Sequence, residues 1–140
     1  MTKKSVTTLI KLADRRVVNQ HGRVSLIEKT IQDIENHIGV LNANLENEAR
    51  AAMLDPFAGL HFGAYSRGIQ KKIQNLNEQR AQQETVLTRE RDRLSQLYKE
   101  MKVLEVYEQN QKHQEQVEQR HAEQKETDEI AGRLKSVQSS

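Results

Sequence analysis

Met53-Leu54-Asp55-Pro56-Phe57-Ala58-Gly59-Leu60-His61-Phe62-Gly63-Ala64-Tyr65-Ser66-Arg67-Gly68 is the stretch that decides the fold. It holds the only proline of the chain and three of its six glycines. Proline disfavours helix at the residue before it, and glycine weakens helix propagation. Breakers crowded into one place leave a long stretch of chain on either side. The segment therefore reads as a hairpin turn over about residues 54–67, with room for a short helical piece. Helix 1 is expected at about 5–53 and helix 2 at about 68–134.

Both flanking stretches carry a 4-3 apolar spacing. The first series is Val6, Ile10, Ala13, Val17, Gln20, Val24, Ile27, Ile31, Ile34, Ile38, Leu41, Leu45, Glu48 and Ala52, of which twelve of fourteen are apolar. The second is Ile69, Ile73, Leu76, Arg80, Gln83, Leu87, Glu90, Leu94, Leu97, Met101 and Leu104, of which eight of eleven are apolar. Sustained 4-3 spacing keeps one narrow stripe on a helix, and that stripe needs a partner helix. Leu9, Leu12, Leu26 and Val40 widen the first stripe, and Val86 beside Leu87 signals a small phase shift in the second. The fold class expected is all-α: a long antiparallel two-helix coiled-coil hairpin, one domain over residues 1–140.

Reflection about the turn pairs residues whose numbers add to about 121, with arms about 75 Å long. Ala52 then faces Ile69, and Val24 faces Leu97. Ile10 and Val6 fall opposite Gln111 and Glu115, so Val6, Leu9, Ile10 and Leu12 are expected to be incompletely covered, a candidate docking surface. Residues 108–128 hold one strong apolar side chain, Val117, among good helix formers, so helix 2 is expected to continue as a solvated extension. Ile130, Leu134 and Val137 then return at 4-3 spacing, the mark of an end that buries itself in something else.

Composition agrees with a thin structure. The chain is 35% hydrophobic, 30% charged and 4% aromatic, against ~45–50% apolar in compact domains. There is no Cys, which removes disulfide and thiolate chemistry and suits a reducing compartment. No run of about 18 apolar residues exists, so no membrane insertion is expected, and Lys3 and Lys4 are not followed by a secretory apolar stretch. Net charge is +2 but zoned: +5 over residues 1–30, −4 over 31–66, +3 over 67–107 and −2 over 108–140. Zoning favours oriented docking on partners. The basic excess is too small and local for nucleic acid to be the main partner.

Chemistry is not expected. The five histidines, His21, His37, His61, His113 and His121, form no pair at helical ligand spacing, and no cysteine supplements them, so no metal is expected. The glycines lack the ending of a phosphate-binding loop. The carboxylates are explained as i, i+4 partners of Lys and Arg. A two-helix pair also lacks a concave pocket. No catalytic residue, cofactor or enzyme activity follows from such a chain. The basic cluster Lys3, Lys4, Lys11, Arg15, Arg16 and Arg23 reads either as a solvated helix face or as a contact for acidic loops of a partner. The aromatics Phe57, Phe62 and Tyr65 read either as a plug capping the coiled coil or as an anchor for a partner.

The two ends resemble the FliJ family, the stalk protein of the bacterial flagellar type III export apparatus. Thr8-Leu9-Ile10-Lys11-Leu12-Ala13 is similar to the family's T-L-x-x-L-A start. Glu123-Gln124-Lys125-Glu126-Thr127-Asp128-Glu129-Ile130-Ala131 is similar to its Q-K-x-x-D-E-hydrophobic-A ending, and Tyr98-Lys99-Glu100-Met101-Lys102 to a run midway down its second helix. The resemblance implies an antiparallel coiled coil similar to the γ stalk of rotary ATPases. Its implied partners are a hexameric export ATPase, bound and activated, the membrane export gate, and export chaperones. Its implied location is cytoplasmic, peripheral at the inner membrane, in flagellum biogenesis and motility. Carried over to this sequence, the ATPase-binding positions are Thr8, Leu9, Leu12 and Ala13 with Gln124, Lys125, Asp128, Glu129 and Ile130; Arg15 and Arg16 join them from the basic cluster. Gate or chaperone contact falls on Phe57, Phe62 and Tyr65, although residues 56–68 match no motif of the family.

Three alternatives stay open on the sequence. The chain is an escort or chaperone-binding coiled coil for export substrates, the stalk of a virulence-type secretion system, or a generic coiled-coil homodimer.

Overall fold

Asp55 is the one residue that separates the two helices. In the computed structural model, which describes residues 2–138, α1 spans Lys3–Leu54 and α2 spans Pro56–Gln138. The Asp55 carboxylate accepts a hydrogen bond from the Phe57 N–H at 3.0 Å, as an N-cap does for the second residue of a helix. Pro56 occupies the first helical position, where its missing N–H costs nothing and its fixed φ favours the helix. The Asp55 N–H closes α1 on the Ala51 carbonyl, and the Asp55 carbonyl accepts the first bond of α2 from Gly59. No described residue has positive φ.

The expected loop at about 54–67 is therefore corrected: residues 56–67 belong to α2, and the turn is one residue. The expected bounds move with it, from about 5–53 to Lys3–Leu54 and from about 68–134 to Pro56–Gln138. The physical reason is position. Pro56 initiates a helix where it was read as breaking one, and the three glycines lie inside a helix held by packing. At its other end α1 is capped by Thr2, whose Oγ1 accepts from the Ser5 N–H at 3.2 Å.

The chain divides into two compact units. Positions 1, 139 and 140 of the expected domain lie outside the described residues. In the unit spanning Arg16–Gln96, α1 and α2 pack antiparallel. Its buried apolar residues are Val17, Val24, Ile31, Leu41, Ile69 and Leu87, with Val24, Ile31 and Leu87 forming a cluster joined by Ile27 and Leu94. Every expected seam position of this unit but one is buried or half-buried, including the polar Arg80, Gln83 and Glu90. The exception is Glu48, which is exposed while Ala49 beside it turns inward. Gln20 is buried and donates to the Glu90 carbonyl at 3.0 Å and to its carboxylate at 2.5 Å. Arg91 and Glu28 bridge the helices at 3.2 Å.

The other unit pairs residues 2–15 with residues 97–138. Here Val6 is fully buried, Ile10 and Ala13 are half-buried, and Lys3 meets Glu115 at 3.2 Å. Cross-helix pairs in the two units have numbers adding to between 110 and 119. The expected 121 is too large because the reversal sits at Asp55 and not midway along residues 54–67. The correction changes the start of α1: Val6 and Ile10 are covered, and only Leu9 and Leu12, 37% and 44% exposed, remain outside. Glu108, Gln111 and Val117 are half-buried, so pairing persists well past Tyr107. The solvated extension begins at residue 118, and every residue from there to 138 is exposed.

Candidate partner-binding site

Ten of the eleven residues expected to bind the ATPase fall in the unit built from residues 2–15 and 97–138; Arg16 belongs to the other. On α1, Thr8 is exposed and its hydroxyl donates back to the Lys4 carbonyl at 3.0 Å, so it caps nothing outside its own helix. Leu9 and Leu12 lie one residue before Ile10 and Ala13, on the shoulder of the seam. Ala13 is half-buried in the seam and Arg15 is exposed. Lys3, part of the basic cluster, is engaged with Glu115, at side-chain exposures of 64% and 53%. Such a pair contributes about 0–1 kcal/mol.

On α2, the motif residues stand on a helix that touches no second helix. Gln124 donates to Asp128 at 3.2 Å across one helical turn, and Thr127 bonds back to the Glu123 carbonyl at 2.9 Å. Lys125 and Glu129 stand one turn apart as well. Ile130, Leu134 and Val137 are 49%, 62% and 73% exposed, a narrow apolar stripe in water.

The two groups are not brought together. The Lys3–Glu115 pair marks where α1 begins beside α2. Gln124 lies nine residues beyond that level, about 14 Å at 1.5 Å per residue, while Thr8 lies five residues to the other side, about 8 Å. A partner touching both must span about 20 Å along α2. The chemistry available is hydrogen bonding, ion pairing and apolar contact. Among the described residues there is no group of three or more His, Cys, Asp or Glu placed to hold a metal ion, and no helix is long and apolar enough to cross a membrane.

The residues expected to meet the gate or chaperones lie in the unit Arg16–Gln96. Phe57 is 79% exposed, Phe62 is half-buried and Tyr65 is 38% exposed. Only Phe62 behaves as a plug; Phe57 points to solvent. Around it stand Met53, Leu54 and Leu60, 88%, 88% and 75% exposed, which the sequence reading left out. Their signal was present: each falls off the 4-3 series next to the helix break. In the other unit Tyr98, Val103, Val106 and Tyr107 are also exposed, so apolar side chains stand outside the seam among Lys99, Glu100, Lys102 and Glu105. That too was legible, as apolar residues standing between seam positions.

Fold and exposed faces define a class: an all-helical antiparallel hairpin of coiled-coil type, with its distinctive residues outside the seam. The chain matches the family described as Flagellar FliJ protein over residues 2–140, and it belongs to that family. No curated protein and no solved structure matches it.

Proposed function

We propose that this flagellar export protein is a non-enzymatic stalk. It binds and activates the hexameric export ATPase and links it to the membrane export gate, working in the cytoplasm at the inner membrane. The observation that carries the reading is the extension: residues 118–138 form helix, bury nothing, and carry the Gln124–Ile130 motif. A helix whose residues are all exposed over 118–138 offers that surface to a partner. The mechanism is allosteric. A helical hairpin seated asymmetrically in a ring contacts its subunits unequally and so shifts their conformational equilibrium. The residues assigned to that contact are Thr8, Leu9, Leu12, Ala13, Arg15 and Arg16 with Gln124, Lys125, Asp128, Glu129 and Ile130. Phe57, Phe62 and Tyr65 are assigned to the gate or to export chaperones.

Deleting residues from Gln119 onward tests it. The truncated chain keeps its cross-helix seam and its helical circular dichroism per remaining residue, and loses stimulation of ATPase turnover. Unchanged stimulation sinks the proposal. A second reading, a chaperone-binding escort for export substrates, is favoured by the exposed Leu9, Leu12, Val103 and Tyr107. It predicts that charge-introducing substitutions at these residues abolish chaperone capture while the truncation leaves it intact.

A further inference from the structure

In the unit Arg16–Gln96, the two flanks of the seam carry different charge. In an antiparallel pair, residues that immediately follow the three-residue step of the seam lie along one flank on both helices, and residues that immediately precede the next seam position lie along the other. The first flank contains Glu28, Glu35, Glu84 and Arg91. It uses its one arginine to pair Glu28 with Arg91 at 3.2 Å. The second contains Arg16 and Arg23 on α1 and Arg93 on α2, with Arg89 one turn from Arg93.

The second flank breaks the usual rule for such positions, where opposite charges pair across the seam. Arg23 and Arg93 fall within the register range defined by the observed cross-helix pairs, so arginine stands against arginine. All four arginines are exposed. Among the described residues, no side-chain hydrogen bond or ion pair reaches the guanidinium of Arg16, Arg23 or Arg93, and that of Arg89 reaches only its neighbour Glu90 at 3.9 Å. Glu90 is already held by Gln20. Beside them, Thr85, Thr88 and Gln96 line a shallow groove with Arg89 and Arg93. Two carboxylates border it as well: Glu90, which Gln20 holds at the seam, and Asp92, on the outer face of α2. Stability does not account for like charges held across a seam. A partner that neutralises them does.

We propose that Arg16 and Arg23 of α1 with Arg89 and Arg93 of α2 form a binding surface for an acidic polypeptide segment. Guanidinium groups take carboxylates in paired, planar hydrogen bonds, and four of them at helical spacing suit side chains repeated along a helix or extended strand. The proposal shares Arg16 with the ATPase contact proposed above and otherwise goes beyond it. It rests on the seam geometry of this unit, whatever protein supplies the acidic segment, and it brings in Arg23, Arg89 and Arg93, which that reading leaves without a role.

The test uses the full chain and a fluorescein-labelled glutamate-rich peptide of about 16 residues, read by anisotropy at low and physiological salt. The triple variant Arg23→Gln, Arg89→Gln, Arg93→Gln is expected to lose at least about tenfold in affinity. A control with the same charge loss elsewhere, Lys99→Gln, Lys102→Gln, Lys135→Gln, is expected to lose less than about twofold; each tenfold corresponds to 1.4 kcal/mol of binding. Equal losses in the two variants would reduce the effect to bulk charge and overturn the proposal. So would tighter binding of single-stranded DNA of the same length than of the peptide. A dimer in sedimentation of the native chain that the arginine variant abolishes would make the occupant a second copy. Thermal unfolding supplies the last readout. Relieving Arg23–Arg93 repulsion leaves the midpoint unchanged or raises it, whereas a fall would show that the arginines serve the seam itself.

Discussion

Gln20 and Glu90 show what single residues contribute to this seam. Gln20 sits at a position that the 4-3 spacing assigns to the interior, and it is 4% exposed. Burying an amide there is tolerable because Glu90 accepts both of its hydrogen bonds. Gln20→Ala leaves a gap and a half-buried Glu90 carboxylate with only the long 3.9 Å contact to Arg89. It is expected to lower stability by about 1–3 kcal/mol in urea unfolding followed by circular dichroism. The paired change Gln20→Leu with Glu90→Leu is expected to restore or exceed native stability, since apolar layers replace buried polar ones at little cost. Recovery failing in the double variant would show that the polar pair serves more than its own satisfaction. At the turn, Asp55→Ala removes a cap worth about 1 kcal/mol. Asp55→Asn retains most of it, and a loss as large for Asn as for Ala would refute the capping role.

At the scale of the elements, the seam was readable and the turn was not. Period alone places Val6, Val17, Val24, Ile31, Leu41, Ile69 and Leu87 inside, and all seven are buried. It even places Arg80, Gln83 and Glu90 correctly, because backbone geometry puts a position at the interface whatever its side chain. Glu48 is where geometry yields to chemistry. A charge there is displaced by Ala49, next to the turn where the helices need not keep strict phase. Pro56 was misread because proline ends one helix and begins another with equal ease, and only the N-cap geometry of Asp55 tells which. The wrong register followed from that one misreading, and with it the belief that Val6 lay uncovered. The motif residues of the extension are legible from the family resemblance, whereas the exposure of Met53, Leu54 and Leu60 depends on where the helix break falls, which spacing alone does not give. The extension itself carries a prediction. A helix of about 20 residues without tertiary support is marginal in water. Trypsin is therefore expected to cut after Arg120, Lys125 and Arg133 before any site within residues 16–96, as followed by mass spectrometry. Simultaneous cleavage in both regions would contradict it.

For the molecule as a whole, the core is unevenly distributed. The unit Arg16–Gln96 holds six of the seven buried apolar residues, and the other unit holds Val6 alone. Since burial supplies most of the favourable free energy, the second unit is expected to open at lower denaturant. Amide exchange should show residues 17–41 and 69–94 protected most and residues 97–111 less, and uniform protection across both would refute this. Among the described residues no titratable group is buried, Arg80 and Glu90 at the seam being half-buried, so the charged zones mark partners more than they hold the fold together.

The one-residue reversal at Asp55 has a kinetic consequence. Each contact across the seam closes a loop whose length is fixed by its distance from that residue: 63 residues for Glu28 with Arg91, 70 for Gln20 with Glu90 and 112 for Lys3 with Glu115. Once the first layers beside the reversal have met, each further layer extends an existing nucleus by a single heptad and needs no new search through space. The two helices should close in order, from the reversal outward, and a flexible insertion at Asp55 should lower stability by slowing folding while leaving the unfolding rate nearly unchanged.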